Sequence, residues 1–87
     1  LREQLKGNDI SLIIDRHYTG RLESENLMLI KKIVSLIRRE RGITLEEISD
    51  NIGYGYSKVV ELAGLLEIDD FIITDLLQRC SINPKFM

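Results

Sequence analysis

The chain has 87 residues, of which 44% are hydrophobic and 30% are charged, and its formal net charge is −2. This length fits a single hydrophobic core without a second domain, and the composition is typical of a globular protein rather than a disordered one. No apolar stretch approaches the roughly 18 residues of a membrane-spanning helix, so we expect no membrane span.

Cysteine usage indicates the compartment. Cys80 is the only cysteine, so no intrachain disulfide can form, and we expect a buried thiol in a reducing, cytoplasmic setting. The chain starts at Leu1 with neither an initiator methionine nor the apolar region of a signal peptide. We therefore expect an intracellular fragment of a longer protein.

Residues 1–23 are predicted to form an N-terminal extension that packs on the core or on a partner. A frayed helical turn is expected before a break at Gly7-Asn8-Asp9. Residues 10–18 fit a helix capped by Asp9, and they also fit a strand in which apolar residues alternate. The cap and the terminating Gly20 favour the helix.

A long helix is predicted to begin with Ser24 as its N-cap and to end near Arg41. Its apolar residues cover a wide arc and leave a narrow polar strip: Lys31, Lys32, Ser35, Arg38 and Arg39. One small core uses only one side of such a helix, so the excess predicts a contact with the extension, a neighbouring domain or a second copy in a homodimer. The cations at its end are explained equally well by the helix dipole and by phosphate contact.

Residues 43–66 predict two short helices joined by a tight turn. Thr44 and Glu47 have the spacing of a capping box, and Gly53 suits the left-handed residue that ends a helix. Ser57 is predicted to cap the second helix, which occupies about residues 56–67.

Residues 71–74 and 79–82 predict the two strands of a β-hairpin around the turn 75–78. The turn lacks glycine, although tight hairpins favour it. A helix capped by Asp70 is the alternative, with one apolar face: Ile72, Ile73, Leu76, Leu77 and Cys80. We favour the hairpin.

The order of capped helix, glycine turn, second helix and hairpin resembles the helix-turn-helix of winged-helix proteins over residues 24–83. The resemblance implies an α+β, mainly helical fold with three core helices and a hairpin wing, followed by a tail at 84–87. The exit of the second helix, Leu65-Leu66-Glu67-Ile68, also looks like the C-terminal winged helix of DNA-processing proteins of the DprA/Smf type.

The family places the second helix in the major groove of double-stranded DNA. The resemblance therefore implies a DNA-binding domain of a transcription regulator or DNA-processing protein. The implied contacts come from the start of that helix and from the wing: Tyr54, Tyr56, Ser57, Lys58, Glu61 and Arg79. The competing interpretation is that a tyrosine packs against the first helix of the pair and that Lys58 and Glu61 form a solvated pair.

Charge argues against DNA binding. Residues 1–42 hold nine Lys/Arg and six Asp/Glu, whereas residues 43–87 hold three Lys/Arg and eight Asp/Glu. Nucleic-acid binding normally depends on a basic surface. The sequence thus supports a second hypothesis, a winged helix that binds protein or dimerises through the 24–41 helix or the N-terminal extension without touching DNA.

Catalysis finds little support in the residues, and we expect no enzyme, metal or cofactor. His17 and Cys80 are the only histidine and cysteine, whereas a zinc site needs several such ligands. The sequence Gly53-Tyr54-Gly55 lacks the remaining glycines of a phosphate-binding loop.

Overall fold

The computed structural model describes residues 2–86, with side chains from residue 10 onward. The elements are α1 (Arg2–Tyr18), α2 (Ser24–Arg39), α3 (Leu45–Ile52), α4 (Tyr56–Ile68), β1 (Ile72–Thr74), β2 (Cys80–Ile82) and a 3-10 turn (Pro84–Phe86). The described part of the chain is therefore α+β and mainly helical, with one two-stranded antiparallel sheet.

Helix α1 is longer than the sequence predicts. It runs without interruption through Gly7-Asn8-Asp9, so the predicted break and the predicted Asp9 cap are both wrong. The favoured helix over residues 10–18 is confirmed, and the strand alternative is excluded. Ile10, Ile14 and Tyr18 recur every four residues and are buried in the core, and this burial outweighs the roughly 1 kcal/mol that a glycine costs inside a helix.

Helix α2 lies at the centre and contacts α1, α3, α4 and β2. Its buried residues account for the wide apolar arc: Leu29, Ile30, Ile33, Val34, Leu36 and Ile37. Of the contacts predicted for this apolar arc, the one with the N-terminal extension forms, because α1 packs against one side of α2. The arc therefore gives no support to a homodimer.

The predicted limits of α2 need correction. The N-cap is Glu23, whose side chain makes no capping hydrogen bond, and Ser24 is the first helical residue rather than the cap. The helix ends at Arg39, before the predicted end near Arg41. Gly42 then takes a left-handed φ of 86°, which turns the chain toward the hairpin.

Helices α3 and α4 are joined by the expected tight turn. Thr44 and Glu47 form the predicted capping box, and Gly53 ends α3 with a left-handed φ of 74°. The predicted Ser57 cap is wrong, because the N-cap of α4 is Gly55. The Gly55 carbonyl accepts hydrogen bonds from the Lys58 and Val59 amides at 3.1 and 3.2 Å, so the helix starts earlier than Ser57 would allow.

The hairpin prediction is confirmed and the helix alternative is excluded. Strands β1 and β2 pair with Ile72 opposite Ile82 and Thr74 opposite Cys80. Residues 42–45 also hydrogen-bond to residues 78–80, so the hairpin is tied to the start of α3. Gln78 takes the left-handed conformation, with φ of 64°, that glycine usually supplies in such turns.

One hydrophobic core joins every helix and both strands. The side chains that are almost completely buried include Ile14, Ile30, Ile48, Leu66 and Cys80. Cys80 is thus a buried thiol, as predicted, and burial raises its pKa. The N-terminal extension shares this core with the rest of the chain.

Candidate nucleic-acid interface

The start of α4 presents the residues that the resemblance selects for DNA. Tyr54 and Tyr56 are partly exposed, and Ser57 and Glu61 are exposed, whereas Lys58 is half-buried. The five residues lie in the turn before α4 and in the first two turns of that helix, and the Tyr56–Gln78 hydrogen bond brings this segment close to Arg79 on the hairpin. The structure also shows what each of them already contacts.

Both tyrosine hydroxyls have partners inside the chain. Tyr54 donates to Glu25 Oε2 on α2 at 2.7 Å, and this hydrogen bond raises the pKa of Tyr54. Tyr56 donates to Gln78 Oε1 on the hairpin at 2.6 Å. The tyrosine hydroxyls thus link the turn before α4 to α2 and the start of α4 to the hairpin.

Arg79 is engaged as well. Its Nε donates to Asp75 Oδ2 at 2.8 Å, and its backbone amide donates to Asp75 Oδ1 at 3.0 Å. The Leu77 amide also donates to Asp75 Oδ1, at 2.9 Å. These hydrogen bonds, led by the one from the Arg79 amide, hold the pKa of Asp75 below its usual value. The side chain of Arg79 is therefore used to close the hairpin turn.

The surface around α4 is acidic. Helices α3 and α4 contain one cation, Lys58, and five acidic residues: Glu46, Glu47, Asp50, Glu61 and Glu67. Phosphate binding gains free energy from Lys and Arg that displace condensed counterions. Lys58 is the one cation that α3 and α4 offer to phosphate, and it is half-buried.

The hairpin tip, defined as residues 75–79, is apolar in a way that sequence reasoning missed. Leu76 is 102% exposed and Leu77 is 67% exposed. In the sequence both leucines fit the buried face of the rejected helix. The favoured hairpin places both leucines in its turn, and because turns lie at the protein surface, this position could have shown that they are exposed.

A second overlooked feature lies on α2 and α3. An open groove of about 290 Å³ is lined by Lys32, Ser35, Leu36, Arg39, Asn51 and Ile52. The polar strip of α2 was predicted, but the contribution of α3 was not. We refer to these six residues as the basic groove.

His17 lies near the end of α4. Its Nε2 lies 3.2 Å from Asp69 Oδ2, and its ring packs edge-on against Tyr18 and Phe71. Tyr18 donates to the same Asp69 oxygen at 2.6 Å, and burial raises the pKa of this tyrosine strongly. This cluster joins α1 to the end of α4.

The described residues were compared with the requirements of a metal site and of a membrane-spanning helix. Across the described residues, no group of three or more His, Cys, Asp or Glu side chains is arranged to hold a metal ion. None of the helices in the described chain is long and apolar enough to cross a bilayer. Comparisons with protein-family models, with curated proteins and with solved structures find no match.

Proposed function

We propose that the chain is a winged-helix domain that binds another protein through its hairpin tip. The winged-helix assignment is supported by the order of elements: a capped α3, a glycine turn, α4 and a hairpin that follows directly. It is further supported by the pairing of residues 42–45 with residues 78–80, which adds a short third segment beside the hairpin.

The exposure of Leu76 and Leu77 is the observation that carries the proposal. Covering an exposed leucine is favourable by about 1.5–3 kcal/mol, and a few such residues dominate most protein interfaces. The two leucines are adjacent on one turn, so one apolar pocket in a partner can receive both.

The rigidity of the tip supports the same function. Asp75 accepts hydrogen bonds from the Leu77 and Arg79 amides and from Arg79 Nε, and Gln78 N donates back to the Asp75 carbonyl at 2.9 Å. The turn is thus ordered before a partner arrives. Preorganisation lowers the entropic cost of association.

Contact between DNA and the start of α4 stays a prediction with weaker support. Lys58 is half-buried, and Arg79 is paired with Asp75. Glu61 is exposed one turn along α4 from Lys58 and repels phosphate there. A protein partner with an apolar pocket does not meet this repulsion.

Site-specific cross-linking tests the proposal. A photoreactive benzoylphenylalanine is placed at position 76, and in a control chain at Leu12, an exposed leucine of α1 (50% exposed). After irradiation in native cells, we expect a discrete protein adduct from position 76 and none from position 12. Adducts to nucleic acid, or no adduct at position 76, would contradict the proposal.

A further inference from the structure

We infer that the basic groove between α2 and α3 binds the phosphate backbone of double-stranded DNA. This inference is independent of the proposed protein contact, because the groove shares no residue with the hairpin tip. It also differs from the predicted DNA contact, which lies on α4 and the hairpin.

The residue types of the groove fit a phosphate backbone. Lys32 and Arg39 supply two cations, and Ser35 supplies an uncharged donor. The side-chain amide of Asn51 donates one hydrogen to the Glu47 carbonyl at 2.9 Å and has a second hydrogen to donate. Phosphate oxygens in protein–DNA complexes accept mainly from Lys, Arg and small polar side chains of this kind. No acidic residue is among the lining residues.

The cations of the groove are available, in contrast to others nearby. Lys31 Nζ lies 2.7 Å from Asp15 Oδ1, and Arg79 is paired with Asp75. Within the part of the chain whose side chains are described, Lys32 and Arg39 form no ion pair. Both side chains are exposed to solvent.

The spacing suits one strand of a duplex. Lys32 and Arg39 are two helical turns apart, which corresponds to roughly 10 Å along α2. Because a strand also winds round the duplex axis, neighbouring phosphates are farther apart than their axial rise of about 3.4 Å, and two cations at this separation can contact two phosphates of one strand.

A duplex fits better than a single strand. Single-stranded nucleic acids are usually held by aromatic side chains on which the bases stack. The groove contains no aromatic residue, and its apolar members are Leu36 and Ile52. Binding through this surface therefore reads the backbone and not the base sequence.

Fluorescence anisotropy of a labelled mixed-sequence DNA duplex, between 20 and 200 mM salt, tests the inference. We compare the wild-type chain with Lys32→Glu/Arg39→Glu. We expect the wild type to bind at low salt and the double variant to bind at least tenfold more weakly at 50 mM salt. Because about 0.9 counterions are released per phosphate contact, the slope of log affinity against log salt should shrink by about two.

Arg21→Glu/Lys85→Glu is the matched control, because it changes one exposed arginine and one exposed lysine outside the groove and outside the predicted α4 contact, with the same change in net charge. It should bind almost as well as the wild type. Lys32→Gln/Arg39→Gln is a milder variant that should lose the same salt slope, and circular dichroism checks that each variant is folded.

Several outcomes would overturn the inference. The wild type could fail to bind DNA even at 20 mM salt, or the control variant could lose as much affinity as the groove variant. Competition by polyglutamate as strong as by unlabelled DNA would instead assign the groove to an acidic protein segment. Preference for an RNA duplex over a DNA duplex would reassign the nucleic acid.

Discussion

Asp69 and Asp75 lie before and after β1, and they differ in the parts of the chain to which they hydrogen-bond. Asp69 Oδ2 accepts from the Tyr18 hydroxyl at 2.6 Å and lies 3.2 Å from His17 Nε2, which holds α1 against the end of α4. The side chain of Asp75 accepts hydrogen bonds only from residues of its own turn, in which Leu76 and Leu77 are exposed to solvent. One end of the hairpin therefore helps to close the core, whereas the other end presents apolar side chains to solvent.

At the Asp69 end of the hairpin, α1 is held by its buried apolar side chains. Removing one of them should cause the largest loss of unfolding free energy. Ile14 is 0% exposed, whereas its neighbour Ile13 is 41% exposed. We expect Ile14→Ala to lower the free energy of unfolding by about 2–5 kcal/mol, because it leaves a cavity in a packed core. Ile13→Ala is the matched control and should cost well under 1 kcal/mol.

Urea unfolding followed by circular dichroism measures both variants. Similar losses in the two variants would mean that α1 is not docked on the core. In that case, the contact of α1 with Asp69 would not help to hold the core together.

The hydrogen bond at Asp69 gives the next effect. Tyr18→Phe removes the hydroxyl that donates to Asp69, and we expect a loss of about 1–2 kcal/mol of unfolding free energy. Tyr54→Phe removes a similar bond to Glu25 at a solvent-exposed site and should cost clearly less than Tyr18→Phe. The same urea titration compares them, and a larger loss for Tyr54→Phe would contradict the distinction between the two sites.

At the open end, acid should loosen the turn. Hydrogen bonds lower the native pKa of Asp75 relative to the unfolded value of about 3.9. Its stabilising contribution is therefore present above that unfolded value and is lost as pH falls through the lower native pKa.

An NMR titration of the Leu77 and Arg79 amides follows this transition. Both amides should shift together, with a midpoint below the usual range of aspartate, and Asp75→Asn should remove the transition. Titration of both amides at the ordinary aspartate pKa would argue against the hydrogen-bonded turn.

The exposed leucines should contribute least to stability. Leu76→Ser/Leu77→Ser removes side chains that are mostly in solvent, so the unfolding free energy should change by no more than about 0.5 kcal/mol. A loss of several kcal/mol in the urea titration would show that the leucines are part of the core, and the proposed docking role would fall.

Local signals in the sequence were sufficient for much of the fold. The capping box of Thr44 and Glu47, the glycine that ends α3 and the hairpin strands depend on neighbours only a few residues away. Propensity failed where burial overrode it, since α1 continues through Gly7-Asn8-Asp9.

The candidate surfaces were harder to predict, because they depend on contacts between distant segments. The sequence placed Arg79 on a hairpin but did not reveal that Asp75 occupies its side chain. The basic groove brings Lys32 of α2 next to Asn51 of α3. The Tyr18–Asp69 hydrogen bond likewise joins residues that no helical or strand periodicity connects.

The central claim is that the open end of the hairpin is a protein-binding surface. Quantitative affinity purification from native cells tests it most directly, with the wild-type chain, Leu76→Ser/Leu77→Ser, and Leu12→Ser as an exposed control on α1. The account predicts that at least one protein is recovered with the wild type and with Leu12→Ser but is lost with the hairpin variant. Recovery of the same proteins with all three chains would contradict it.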